Sequence, residues 1–230
     1  MTLKNLMLTG GINHDFEDAS QALSEVLAES GFESTIYHDF DAGLDAIVES
    51  PDLVTMFALR WRMLDDDKYI PHRKAWAYEI SDTHRELLSN YIATGGGLLG
   101  LHTSAICFDT WPEWQQLLGA KWVWGESFHP EPAEMEIINL NLEHPVTQRC
   151  STFTLIDELY HNIEPVDDAE PLFQAISAED GSTQTLAWSN SFGKGRSIYS
   201  ALAHDRLSIK APGHSAFLQT AATWCAGESL

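Results

Sequence analysis

Residues 95–104 read GGGLLGLHTS, the most informative stretch of the sequence. Three glycines precede a short apolar strand, and the strand ends at Gly100, Leu101 and His102. In an open α/β sheet, ligands bind at the carboxyl ends of the strands, and a sharp turn there lifts one side chain into a cleft. Hydrolases and amidotransferases with this arrangement carry a Ser or Cys nucleophile at the turn. Here the position is occupied by His102, which can act as a base, an acid or a metal ligand.

The residues before this strand predict a parallel sheet with helices on both faces. Apolar runs and alternating patterns predict strands over residues 3–9, 32–38, 52–59 and 98–101, and helical spacing predicts helices over 15–29, 44–48 and 81–93. Ser81 is a suitable N-cap for the last of these helices. Residues 60–80 are less regular, and we expect a long loop with a turn of helix there. This alternation of strands and helices is typical of a parallel sheet.

After residue 112 the pattern predicts a second group of strands between two helices. The helices are expected over 113–118 and 213–226, and the strands over 135–140, 152–155, 172–176, 185–188 and 196–202. Gly193, Lys194 and Gly195 predict a hairpin between the last two strands. The sequence therefore predicts one α/β domain over residues 1–230, with a mostly parallel sheet and an antiparallel hairpin extension.

Composition argues against several classes of function. Thirteen basic and 34 acidic residues give a formal net charge of −21, which repels phosphate backbones and anionic membranes. No apolar run approaches the ~18 residues that a membrane-spanning helix needs. The cysteines are Cys107, Cys150 and Cys225, widely spaced, as is typical of a reducing compartment. We therefore expect a cytoplasmic protein that binds neither nucleic acid nor membranes.

Four of the ten histidines follow predicted strands or turns. His14 follows the first strand, His102 the glycine-flanked strand and His204 the last strand, whereas His129 lies in a turn-rich segment. Because parallel strands end at the same edge of a sheet, we expect these side chains to converge on one cleft. The alternative for each is a purely structural hydrogen bond to a loop. The other six histidines are interpreted as surface or packing residues. His161 is a weak exception because it directly follows residues 157–160 (DELY).

An acidic pair, Asp157 and Glu158, precedes an aromatic residue outside any clear helix. A carboxylate near histidines suits a zinc or manganese site. It could equally serve as the acid or base of a proton transfer, or form only a cap or a salt bridge. Neither HxH nor HExxH spacing occurs, so any metal site has to be assembled by the tertiary fold.

Four tryptophans, Trp111, Trp114, Trp122 and Trp124, lie between the glycine-flanked strand and His129. Packing in the core or in a lid explains most such clusters. Aromatic faces also form the floor of many sugar sites, because the C–H groups of a sugar ring stack on them.

In this order, the motifs resemble those of the trehalose-utilisation (ThuA-like) family, which has the class I glutamine amidotransferase-like fold. The matching stretches are 95–102, 117–120 with 129–130, 144–147 (HPVT), 157–160 (DELY), and 193–196 (GKGR) leading to 202–205 (LAHD). The resemblance implies a flavodoxin-like three-layer sandwich and a role in sugar metabolism, on trehalose or oxidised disaccharides. By position it implies that the functional residues are His102, His129, Glu158 and His204, with Asp157 and His14 nearby.

A glutaminase is not expected on this fold. Glutaminase chemistry needs a Cys thiolate at the turn where His102 stands. Cys107 comes five residues later, and Ser104 lacks the Gly-x-Ser-x-Gly frame.

Three functions remain open. The expected partner is a small sugar or sugar derivative, and homo-oligomers are common among such domains. The first is an enzyme that isomerises or hydrolyses a keto-sugar or disaccharide. In it Glu158 or His102 is the base, His129 and His204 are ligands or electrophiles, and a second group or a divalent metal such as zinc or manganese stabilises the enediolate oxygen. The second is a non-catalytic sugar- or metabolite-binding protein. The third is a hydrolase that uses Cys107 or Ser104.

Overall fold

The computed structural model describes residues 2–230. The strands are β1 (Leu3–Gly10), β2 (Phe32–Tyr37), β3 (Leu53–Ala58), β4 (Gly97–Leu101), β5 (Ala120–Lys121), β6 (Ala133–Asn139), β7 (Phe153–Asp157), β8 (Glu164–Pro165), β9 (Glu170–Ile176), β10 (Thr183–Phe192) and β11 (Gly195–Ser200). The α-helices are α1 (Phe16–Ala28), α2 (Phe40–Asp45), α3 (Ile70–Trp76), α4 (Asp82–Ala93), α5 (Glu113–Leu118), α6 (Arg206–Lys210) and α7 (Pro212–Cys225).

Nine of the strands form one sheet in the order β2-β1-β3-β4-β11-β10-β9-β6-β7. The pairs from β2 to β11 are parallel, and those from β11 to β7 are antiparallel. The strands β10 and β11 form the hairpin predicted at Gly193–Gly195. The structure thus confirms the predicted α/β class, with its mostly parallel sheet and antiparallel extension.

Local signals fix the ends of the predicted helices. The Asp15 side chain accepts a hydrogen bond from Asp18 N at the start of α1, and Ser81 accepts one from His84 N at the start of α4. At the end of α5, Gly119 adopts a φ of +102°, which a residue without Cβ tolerates best. Ser81 is the cap that the sequence predicts, and Asp15 and Gly119 lie at the predicted ends of their helices.

Two predicted segments differ from the observed elements. The helix expected over 44–48 is instead α2, which starts at Phe40 because Asp39 caps it by accepting from Asp41 N and Ala42 N. A 3₁₀ turn then covers residues 46–49. In the irregular segment 60–80 the chain forms a 3₁₀ turn at 67–69 and then α3, rather than a single turn in a long loop.

The glycines of the opening motif let helices pack closely on both faces of β4. A Cβ on Gly97 would lie 2.4 Å from the carbonyl oxygen of Cys225 in α7. A Cβ on Gly100 would lie 2.1 Å from Leu118 Cδ1 in α5, on the opposite face. Helices α1, α6 and α7 pack against one another on the first face, and α2, α4 and α5 cover the second, which gives three layers. Of the helices in residues 2–230, none is both long enough and apolar enough to cross a membrane.

Candidate functional site

Three histidines are presented at the carboxyl edge of the sheet by left-handed backbone. Asn13, which precedes His14, has a φ of +69°, His102 itself has +51°, and Ala203, which precedes His204, has +91°. Such angles are uncommon for residues other than glycine, and they concentrate at functional sites where the fold enforces them. The turn predicted at His102 is therefore present, and strained turns also deliver the two other imidazoles.

The imidazoles meet around the carboxylate of Glu158, which follows β7. Its Oε2 lies 3.3 Å from His102 Nε2, 3.5 Å from His129 Nδ1 and 3.9 Å from His14 Nε2. Its Oε1 lies 3.2 Å from His204 Nδ1. Glu158 and His102 are buried, whereas the His204 and His129 side chains are 23% and 37% exposed, so the centre opens to solvent along those two residues.

Backbone carbonyls fix the protonation of two of the rings. His102 Nδ1 is 2.8 Å from the Ala201 carbonyl oxygen, and His14 Nδ1 is 3.3 Å from that of Ile12. Because a carbonyl oxygen can only accept, each Nδ1 carries the proton, and each neutral ring presents a lone pair at Nε2. These two Nε2 atoms lie only 3.0 Å apart. A backbone carbonyl holding the far nitrogen is the usual support for a metal-ligating histidine.

Two atoms of the centre are buried without a hydrogen-bond partner among residues 2–230. They are Glu158 Oε2 and His204 Nδ1, although each lies close to another polar atom of the cluster. The ligand atoms of His14, His102, Glu158 and His204 all lie within 4.8 Å of one another. Tetrahedral zinc with ligands at about 2.0–2.1 Å separates neighbouring ligand atoms by roughly 3.3 Å. The distances from Glu158 to His102 and His204 are close to this value, and the remaining ligand atoms lie within 4.8 Å of one another. The donor set therefore fits a divalent cation.

The electrostatics of the cluster keep Glu158 ionised. Burial alone would raise the pKa of Glu158, but the imidazoles of His102, His14 and His204 outweigh it and hold that pKa far below its ordinary value. Burial lowers the pKa of His14, so this ring stays neutral. The Glu158 carboxylate raises the pKa of His204 despite partial burial. The ionised Glu158 and the neutral His14 are in the forms that ligate a metal, whereas His204, whose pKa is raised, must lose its proton to do so.

His129 and Tyr160 form the wall beside these four residues. The His129 ring stacks on Tyr160 with centroids 5.3 Å apart, and its Nδ1 lies 3.0 Å from the Pro130 carbonyl oxygen. The Tyr160 hydroxyl lies 3.3 Å from His102 Nε2, and burial raises the pKa of Tyr160 well above its ordinary value. Tyr160 was not among the site residues predicted from the sequence. Its position two residues after Glu158, in the segment DELY at 157–160, was the available signal.

Asp157 is close to the centre in sequence but turns away from it. The side chain is fully buried and accepts hydrogen bonds from the backbone amides of Glu158, Ala203 and His204 and from the Ser208 hydroxyl. Its oxygens face amides rather than imidazoles.

The set of four converging ligand atoms includes that of His14, which the sequence placed only nearby, and does not include one from His129.

The other residues considered from sequence lie elsewhere. Cys107 and Ser104 are buried, and the Cys107 thiol donates to the Ala58 carbonyl oxygen, with burial raising the pKa of Cys107 to about 12. Trp111 and Trp114 are buried and stack on each other with centroids 6.0 Å apart. The motif at 144–147 forms a loop closed by Asn139, whose side chain donates to the Thr147 and Cys150 carbonyl oxygens.

Comparison with known proteins agrees with this architecture. A family model described as trehalose utilisation (ThuA) matches residues 4–225. The fold is similar to that of a ThuA-like protein from Parabacteroides merdae, with a TM-score of 0.77 and 18% identity over 100% of this chain and 92% of that one. A ThuA-like protein from Bacteroides uniformis gives 0.71 and 19% over 96% and 90%. A cytoplasmic protein from Salmonella typhimurium gives 0.65 and 14% over 97% and 99%. None of the curated proteins compared with the sequence matches it.

Proposed function

Because the chain belongs to the trehalose-utilisation (ThuA) family, we propose that it is a metal-dependent enzyme that isomerises or hydrolyses a keto-sugar or disaccharide. Family membership connects the chain with trehalose utilisation in general terms. What we propose beyond it is the reaction and the metal. The observation that carries it is that the Nε2 atoms of His14 and His102, whose far nitrogens face backbone carbonyls, lie 3.0 Å apart beside the Glu158 carboxylate.

His14, His102, Glu158 and His204 would hold the ion, since their ligand atoms converge and two of them lack any other partner in the described part of the chain. Imidazole and carboxylate donors suit zinc or manganese. A bound ion of this type polarises a carbonyl group or lowers the pKa of a bound water.

His129 is the residue placed to move a proton. Its Nδ1–H is held by the Pro130 carbonyl, so the neutral ring offers its Nε2 lone pair as a base. The ring is also partly exposed to solvent, where a substrate can reach it. A proton taken from a carbon next to a carbonyl, or from an attacking water, would go to His129 Nε2. The ionised Glu158 carboxylate, 3.5 Å from Nδ1, then stabilises the imidazolium that forms.

Metal content tests the centre. Protein purified without chelator should contain about one equivalent of zinc or manganese by elemental analysis, and chelation should remove it. His102→Ala and Glu158→Gln should each abolish stoichiometric metal while leaving the circular-dichroism spectrum unchanged. His72→Ala, at an exposed surface position, is the matched control and should retain the metal. A purified chain that binds no divalent ion, before or after incubation with zinc and manganese, contradicts the metal centre.

Turnover tests the assignment of His129. With the metal-loaded protein and keto-disaccharides followed by NMR, His129→Gln should lower kcat by about a hundredfold or more, the usual contribution of a positioned acid or base. Its metal content should stay unchanged because His129 is not among the four ligands. Thermal stabilisation by these sugars without any product would instead favour a non-catalytic binding protein.

A further inference from the structure

A cavity lies beside the centre, and the Trp122 ring stands between the two. The cavity has a volume of about 150 Å³ and is lined by Trp122, Trp124 and the polar side chains of Asp109, Gln115 and Lys121, among others. The Trp122 ring centroid lies 5.2 Å from that of Tyr160 and 6.3 Å from that of His129. One indole therefore separates this cavity from the residue placed to move a proton.

The two tryptophans form a rigid aromatic corner. Their ring planes meet at 69°, with centroids 6.4 Å apart. Trp124 is 41% exposed but rests against Trp61, whose indole N–H is bonded to Asp65. The Trp122 indole N–H is buried and has no hydrogen-bond partner within the described residues. An exposed aromatic ring held in place this way offers a flat apolar face at little cost in conformational entropy.

The polar groups of the cavity favour an uncharged ligand. Asp109 accepts from the backbone amide and from Nε of Arg62, and Lys121 lies 2.8 Å from a Glu164 carboxylate oxygen. Arg62 and Lys121 are thus each already paired with a carboxylate. The chain as a whole carries a net charge of −21, which repels anions. A phosphate group therefore finds no free cation among these residues.

We propose that this cavity is a second sugar subsite, which binds a neutral pyranose ring against Trp122 and Trp124. The apolar face of the ring stacks on the indoles, and its hydroxyls bond to Asp109 and Gln115, the mixture of apolar walls and few polar groups that ligand sites have. This inference rests on the proposed function. The substrate is then an unphosphorylated disaccharide or glycoside, with one ring stacked in the aromatic cavity and the other reaching past the edge of Trp122 to the metal centre.

Calorimetric titration of the full chain tests the subsite, with trehalose, maltose, glucose and trehalose 6-phosphate as probes. At least one of the two neutral disaccharides should bind, about tenfold more tightly than glucose and than the phosphorylated sugar. Trp124→Ala should weaken that binding by about tenfold, as expected for the loss of an aromatic stacking partner. Trp124→Phe, which retains an aromatic face, should recover most of the affinity. Trp224→Phe, on α7, is the control and should bind as the wild type does.

Three results would overturn the subsite: neither disaccharide binds, Trp124→Ala binds as the wild type does, or the phosphorylated sugar binds more tightly than trehalose. Metal content is measured on the same samples, and each titration is repeated after chelation. If Trp124→Ala keeps its metal and binds the disaccharide as the wild type does, the subsite alone is refuted. If the chain binds no zinc or manganese, either as purified or after incubation with these ions, but Trp124→Ala still loses sugar affinity, the metal centre alone is refuted.

Discussion

The carboxylate of Asp157 accepts a hydrogen bond from the backbone amide of His204, with Oδ1 and N 3.3 Å apart. The same carboxylate accepts from Glu158 N at 2.7 Å and from Ala203 N at 2.8 Å. One buried side chain thus joins the segment that carries Glu158 to the strained turn that carries His204, two of the proposed metal ligands. Asp157 acts through these residues, as a positioning residue, and does not itself reach the centre.

Replacing Asp157 with Asn should separate these two segments. An amide offers one acceptor oxygen where the carboxylate offers two, so its NH₂ group must oppose at least one backbone N–H. We expect metal affinity to fall by about 10–100-fold, as for other losses of support behind a metal ligand. The free energy of unfolding should fall by about 1–3 kcal/mol.

Ser208→Ala is the matched control for Asp157→Asn. It removes the hydroxyl that donates to the same carboxylate but leaves all three amide donors in place. Its metal affinity should stay within about threefold of the wild type, since none of the amide bonds behind the metal ligands is lost. Wild-type metal affinity in Asp157→Asn, measured by competition with a chelator, would contradict the positioning role.

Replacing Gly97 with Ala should test why the opening motif needs glycine. The new Cβ would lie 2.4 Å from the backbone carbonyl of Cys225, which cannot move unless α7 shifts. We expect a loss of about 1–3 kcal/mol in urea denaturation, the usual cost of overpacking. Gly31→Ala separates steric from conformational cost, because its Cβ meets nothing within 4 Å while its φ is +89°. That variant should lose about 1–2 kcal/mol from backbone strain alone. An unchanged unfolding midpoint in Gly97→Ala would show that the close contact between β4 and α7 does not require glycine at this position.

The sequence predicts the parallel core well because its signals are local. The cap at Ser81, the end of α5 at Gly119 and the hairpin at Gly193 each depend on one or two residues. The start of α2 was predicted four residues late, since Asp39 caps it ahead of the apolar residues that suggested the helix.

The candidate site was predictable only in part, because it depends on tertiary placement. Strand ends indicated that His14, His102 and His204 share an edge. The sequence did not indicate that Asp157 faces backbone amides while Glu158, the next residue, faces the imidazoles. That division depends on β7 and the turn at Ala203 packing together, and no local pattern reports such a contact.

Cys107 should be unreactive in the folded chain. Its thiol donates to the Ala58 carbonyl and accepts from Arg60 N, and burial raises the pKa of Cys107 to about 12. Because the thiolate is the reactive form, iodoacetamide should label Cys107 about a thousandfold more slowly than an exposed cysteine near pH 8. In Cys150→Ser, which removes the one partly exposed thiol, no label should enter until denaturant is added. Rapid labelling of Cys107 in the native protein would revive a thiol-dependent hydrolase.

His144 should make folding stability depend on pH between neutral and mildly acidic conditions. Its Nδ1 accepts a hydrogen bond from Val146 N, so the native ring must be unprotonated at that atom, and burial lowers the pKa of His144. As the pH falls below about 6.5, the unfolded chain binds a proton that the native chain excludes, so stability decreases as the pH falls. The matched variant is His144→Asn, whose side-chain oxygen can accept from Val146 N but does not titrate. Between pH 7.5 and 5.5, the free energy of unfolding in urea should fall more for the wild type than for His144→Asn. Because all other titrating groups are the same in the two proteins, their contributions cancel in this comparison. Equal losses in the two proteins would mean that His144 is protonated as readily in the native state as in the unfolded chain.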